Sequence, residues 1–97
     1  MNFNKLEDQV LAFCYDGSTS FKTLLNVTKM FFPKLSTDQI NLKTESTVQE
    51  LLNQGLISIT KDANTSLANS EFQLTSEGEV ITEELLIKNN LSDYLKY

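Results

Sequence analysis

Residues 48–80 decide the fold: Val48-Gln-Glu-Leu-Leu-Asn-Gln-Gly55-Leu-Ile-Ser-Ile-Thr60, a polar connection to Ser70, then Glu71-Phe-Gln-Leu-Thr-Ser-Glu-Gly78-Glu-Val80. Val48, Leu51 and Leu52 recur at helical spacing, so this run predicts a helix with one apolar face. Gly55 follows where such a helix needs a left-handed residue at its C-terminus, a conformation that glycine adopts without steric cost. Ile57 and Ile59 then alternate with Ser58 and Thr60, the period of a half-buried strand. Phe72 and Leu74 repeat that alternation on the way back. Between them, residues 61–70 are rich in Asn, Ser and Thr and contain no Gly. That composition predicts a longer exposed loop rather than a two-residue hairpin turn, with Leu67 exposed or packed locally. Thr75 and Ser76 can both cap the next helix, Ser76 with Glu79 as a capping box. Glu77 and Glu79 suit the positive end of that helix. Gly78 in its first turn is unfavourable for a helix, which points to close approach of a neighbouring backbone.

Upstream, Asn4 with Glu7 resembles a capping box opening a first helix, whose stripe is Leu6, Val10, Phe13 and Cys14, flanked by Leu11. Asp16-Gly17-Ser18 ends it with turn chemistry. Ser20 precedes a second stripe of Phe21, Leu24, Leu25, Thr28, Phe31 and Phe32, a spacing that marks a buried face. Pro33 stops this helix and pushes Phe32 towards an extended conformation. Ser36 and Gln39 open a third helix. Its stripe begins at Ile40 and weakens at Thr44 and Thr47, which leaves two readings. One is a continuous helix over 37–54. The other is a break near 43–45 with a new start at Ser46 or Thr47. The absence of Gly and Pro favours the continuous helix. Downstream, Ile81 and Leu85 share a face that Leu86 and Ile87 widen. Asn89-Asn90 interrupts, and Leu91, Tyr94 and Leu95 form one more amphipathic turn.

Ninety-seven residues, 40 % hydrophobic and 22 % charged, are expected to form one globular domain over 1–97. No apolar run approaches the ~18 residues of a spanning helix, so no membrane partner is expected. Glu7 and Asp8 fall where an export signal would need apolar residues. Cys14 is the only cysteine, which rules out an intrachain disulfide. Together these features lead to the expectation of a cytoplasmic protein. Cys14, beside Phe13 in an apolar pattern and without a basic neighbour, reads as a small core residue more readily than as a reactive thiol.

The chain carries a net charge of −5 and no Arg. That is a poor match to the basic footprint of a nucleic-acid binder and removes the usual bidentate donor to guanine or phosphate. The charge is uneven. Residues 17–44 hold Lys22, Lys29, Lys34 and Lys43 against Asp38 alone, a net of +3. Residues 71–97 hold Glu71, Glu77, Glu79, Glu83, Glu84 and Asp93 against Lys88 and Lys96, a net of −4. There is no His and a single Cys, so neither an imidazole base nor a usual zinc site is available, and no cofactor is expected. The three glycines form no phosphate-cradling loop. Glu77/Glu79 and Glu83-Glu84 are adjacent only in sequence and read as a solvated acidic face, not as an acid–base pair. An enzyme is not expected.

Three helices, a two-stranded hairpin and a further helix form the element order of a winged helix, an α+β, mainly helical fold. Thr47-Val48-Gln49-Glu50-Leu51-Leu52-Asn53-Gln54-Gly55-Leu56-Ile57 resembles the end of the recognition helix and the first wing strand of bacterial MarR- and PadR-type transcriptional regulators. Phe72-Gln73-Leu74-Thr75-Ser76-Glu77-Gly78 resembles their return strand and the Leu-Thr-x-x-Gly turn that opens the next helix. The resemblance covers about 35 residues by motif and nearly the whole chain by element order. It implies a bacterial or phage DNA-binding regulator, dimeric so that two helices meet adjacent grooves. Carried over, Lys43, Thr44, Ser46, Thr47 and Gln49 would face duplex DNA, with Lys61, Asn64 and Thr65 on the wing. Lys22, Lys29 and Lys34 would meet the backbone if the second helix lies along it. Residues 81–97 would supply the dimer contact through Ile81, Leu85, Ile87, Leu91, Tyr94 and Leu95, or would close the domain's own core. The sequence departs from the family where phosphate would be met, offering Ser, Thr and Gln with Glu45 and Glu50 among them. A winged helix that binds a protein partner and no DNA is therefore the alternative.

Overall fold

The computed structural model describes residues 3–60 and 67–95. Four α-helices and three short strands follow in the order α1 (Leu6–Tyr15), β1 (Thr19–Ser20), α2 (Phe21–Phe31), α3 (Thr37–Asn53), β2 (Ile57–Ile59), β3 (Glu71–Leu74) and α4 (Ser76–Lys88). Single 3-10 turns occupy Leu67–Asn69 and Ser92–Tyr94. This is the expected winged-helix architecture with one strand added. β1 joins the β2–β3 hairpin to make an antiparallel sheet of order β1-β3-β2.

The hairpin register pairs Ile57 with Leu74 and Ile59 with Phe72. The alternation therefore turns Ile57 and Phe72 into the core, while Ile59, at the outer end, is exposed. β1 pairs Thr19 with Phe72. The Thr19 hydroxyl turns back to the Phe13 and Gly17 carbonyls, at 3.2 and 3.3 Å.

α3 is one continuous helix of 17 residues. Both ends are closed by its own sequence. Ser36 Oγ accepts from the Gln39 backbone N–H, and the Ser36 N–H donates to Gln39 Oε1. At the other end Gly55 adopts φ +72°, its N–H bonds the Leu52 carbonyl, and the Leu56 N–H bonds that of Leu51. That pair of bonds is a Schellman motif. α4 ends in the same way, with Asn90 at φ +60° and the Leu91 N–H on the Leu86 carbonyl.

One expected cap differs, and one of two candidates is selected. α1 starts one residue later than the Asn4–Glu7 pairing requires: Lys5 stands at the N-cap and gives no side-chain bond. Gln9 Oε1 instead accepts from the N–H of buried Phe3, which ties the segment before the helix to α1. At α4, Thr75 and not Ser76 is the cap, accepting from the Gly78 N–H.

The main core joins Leu6, Val10, Leu11 and Cys14 of α1 to Phe21, Leu24 and Val27 of α2, Val48 and Leu51 of α3, Ile57 and Phe72. A second cluster of Phe3, Ala12, Tyr15 and Leu86 fixes α4 against α1. Side chains buried as fully as Leu24 and Phe72 contribute about 1.5–3 kcal/mol each. Glu83 is tied into this seam by a 2.8 Å bond from the Tyr15 hydroxyl, so it is not part of a freely solvated acidic face.

Candidate nucleic-acid interface

α2, the turn through Pro33 and α3 form the helix-turn-helix. The turn is set by Phe32, which caps α2 through its N–H on the Thr28 carbonyl and leaves the helical region at φ −130°, ψ 72° as a residue before proline must. Phe31 and Phe32 pack at 5.4 Å, tilted by 59°.

The inward face of α3 is Ile40, Thr44, Thr47, Val48 and Leu51. Thr44 and Thr47, expected to face DNA, therefore point the other way. Thr44 is 1 % exposed and Thr47 6 %. The Thr44 hydroxyl lies 2.7 Å from Thr28 Oγ1 and 2.8 Å from the Ile40 carbonyl, and the Thr28 hydroxyl donates to the Leu24 carbonyl. Thr47 donates to the Lys43 carbonyl. The Thr44 hydroxyl is satisfied between α2 and α3, and that of Thr47 within α3 itself. Neither side chain is presented on the outward face.

Ser46 and Gln49 lie on the outward face. At 3.6 residues per turn they align with Leu42 and Asn53, which the sequence reading passed over. Leu42 is 68 % exposed. Its signal was available: an apolar residue standing off the stripe that Ile40, Thr44, Val48 and Leu51 define. Gln49 Nε2 donates to Asn53 Oδ1 at 3.3 Å. Glu45 and Glu50 flank this stripe and are exposed, Glu50 accepting from Gln54 Nε2 at 2.8 Å.

The four lysines of the basic middle are divided between two flanks of α3. The Lys43 ammonium lies over the Phe32 ring, 5.0 Å from its centroid, a cation–π contact that holds it beside the turn. Lys34, in the turn, borders a hollow shared with Phe31, Phe32, Pro33 and Leu35. Lys22 and Lys29 border a cleft of about 220 Å³ between α2 and the first turns of α3, with Asn26, Thr37 and Asn41. Lys61, Asn64 and Thr65 lie outside the described residues.

The expected dimer residues divide as well. Leu85, Leu91 and Leu95 are half-buried and pack against the domain's own clusters, so for them the core-closing role is the one observed. Ile81, Ile87 and Tyr94 are exposed, as is Val80. Among the described residues no helix is long and apolar enough to cross a membrane, and no group of acidic and cysteine side chains is placed to hold a metal ion.

No family model and no curated protein matches the chain. Among solved structures it is similar to a double mutant of ZitR from Lactococcus lactis, with 16 % identity and a TM-score of 0.62. The match covers 97 % of this chain and 59 % of that one. The chain thus spans less than two thirds of that protein, and the likeness establishes a shared winged-helix fold.

Proposed function

We propose that this chain is a non-enzymatic, DNA-binding winged-helix regulator of transcription, of the MarR or PadR kind, that acts as a homodimer. One observation carries the reading: α3 is a capped, continuous helix with one face packed on α2 and the opposite face, Leu42, Ser46, Gln49 and Asn53, uncovered. An uncovered helix after a helix-turn-helix corner is the element that enters a major groove. Lys22 and Lys29 on one flank, with Lys34 and Lys43 at the turn, are the cations available to phosphate. Few cations imply a shallow salt dependence. With these four lysines contributing, log K against log salt is expected to have a slope of roughly −3 to −4 per protomer.

Fluorescence anisotropy with random-sequence duplex across an ionic-strength series tests this. Salt-dependent binding that Lys22→Glu with Lys29→Glu flattens supports it. No binding at low ionic strength would sink it and would favour the protein-interaction module, whose basic partner would be sought on the exposed Glu77 and Glu84.

A further inference from the structure

We propose that the uncovered face of α3 selects A·T base pairs, with Leu42 against a thymine methyl and Gln49 paired to an adenine edge; this rests on the DNA-binding reading above. The stripe holds an apolar side chain and three neutral polar ones. Guanine is normally read by Arg or Lys on its O6 and N7. The chain has no Arg, and Lys43, the only lysine of α3, is drawn to the Phe32 ring on the helix flank. Adenine is read by a carboxamide that accepts from N6 and donates to N7. Gln49 is prepared for that pairing. One Nε2 hydrogen is held by Asn53, which limits the side chain's rotation and leaves the second hydrogen and Oε1 for the base. Gln39, also exposed, is not available, because its side chain closes the Ser36 capping box.

Leu42 supplies the other half. Leu42 is 68 % exposed among polar neighbours and belongs to neither core cluster. The one apolar group on the major-groove edge of a base pair is the thymine C5-methyl. Leu42 and Gln49 are seven residues apart, a rise of about 10 Å along the helix, or about three base-pair steps. Each half-site should therefore hold two A·T pairs about three steps apart. Glu45 and Glu50 flank the stripe and are the groups suited to cytosine, through its N4 amine, and Glu50 already accepts from Gln54.

Selection of bound duplexes from a random pool, using the full chain, gives the site. Substitution within that site then tests the contacts. Replacing thymine by deoxyuridine should weaken binding roughly fourfold, the worth of one buried methyl, and the loss should vanish in Leu42→Ala. Replacing adenine by 7-deazaadenine should weaken binding about fivefold or more, and that loss should vanish in Gln49→Ala. Both side chains are exposed, so the variants should keep the wild-type melting temperature. Selected G·C pairs would overturn the proposal, as would indifference to both analogues or a cytosine requirement relieved by Glu45→Ala. Each of those outcomes leaves DNA binding intact, whereas absence of any duplex binding sinks the underlying reading itself.

Discussion

Gly78 is a residue whose side chain is excluded by its neighbour. It lies in the first turn of α4, where a Cβ would overlap the Leu56 carbonyl oxygen and press on Leu74. At an exposed helix position glycine to alanine gains about 1 kcal/mol. Here the sign reverses: Gly78→Ala is expected to lose about 1–3 kcal/mol or more, because the strand entry must move away. Urea unfolding measures it, and a stabilised variant would refute the contact. Cys14 is a second case where burial decides. Burial pushes its thiol up to about 11, outweighing the bond from Thr19. The native thiol should therefore resist iodoacetamide at pH 8 and react only on unfolding. The sign for stability follows from proton binding. Between about 9 and 11 the unfolded chain releases the thiol proton while the folded chain retains it, so stability falls as pH rises through that window. Cys14→Ala should show a shallower fall than the wild type over the same range.

At the scale of elements, Thr75 links the helix that would meet DNA to the one behind it. Its hydroxyl donates to the Gly55 carbonyl at 2.6 Å and accepts from the Gly78 N–H at 3.1 Å. One side chain thus fastens the end of α3 to the start of α4. Thr75→Ala should lose about 1–2 kcal/mol, the upper range of an N-cap deletion, and Thr75→Ser should restore most of it. Much of this element structure was readable in advance. Gly55 and Gly78 marked their turns, Ser36 with Gln39 marked the start of α3, and the Ile57/Ile59 and Phe72/Leu74 alternations gave the hairpin. The candidate site was read less well, for a reason the period itself explains. Thr44 and Thr47 continue the stripe of Ile40, Val48 and Leu51, so their spacing placed them inside even though their polarity suggested otherwise. Leu42 is the converse, an apolar residue off the stripe. β1 had no signal of its own, because Thr19-Ser20 is too short to alternate and its partner strand is some fifty residues away. Thr44→Val separates the two roles. It should lose about 1 kcal/mol of stability with the hydroxyl bond to Thr28, and leave duplex affinity unchanged, whereas Gln49→Ala should do the opposite. A Thr44→Val variant of native stability but impaired binding would return Thr44 to the interface.

At the scale of the whole molecule, α4 faces both inward and outward. Thr82, Leu86 and Gly78 are buried against the domain, while Val80 and Ile87 are 56 % and 57 % exposed on the far side, with Ile81 beside them. Val80 and Ile87 are seven residues apart and thus stacked two turns apart on one face. That face carries two exposed aliphatic side chains with Glu84 between them, and nothing within the described residues covers it. A second copy placed there by two-fold symmetry would bury the same residues from each protomer and set two α3 helices for successive major grooves. Val80→Glu with Ile87→Glu should therefore convert a dimer to a monomer in sedimentation equilibrium while leaving the fold intact by circular dichroism. The melting temperature of the wild type should rise with protein concentration and that of the variant should not. Affinity for a duplex with two half-sites should fall to that for one. A wild type that sediments as a monomer at tens of micromolar, or a variant that still sediments as a dimer, would remove α4 from the assembly and leave each α3 to act on a single half-site.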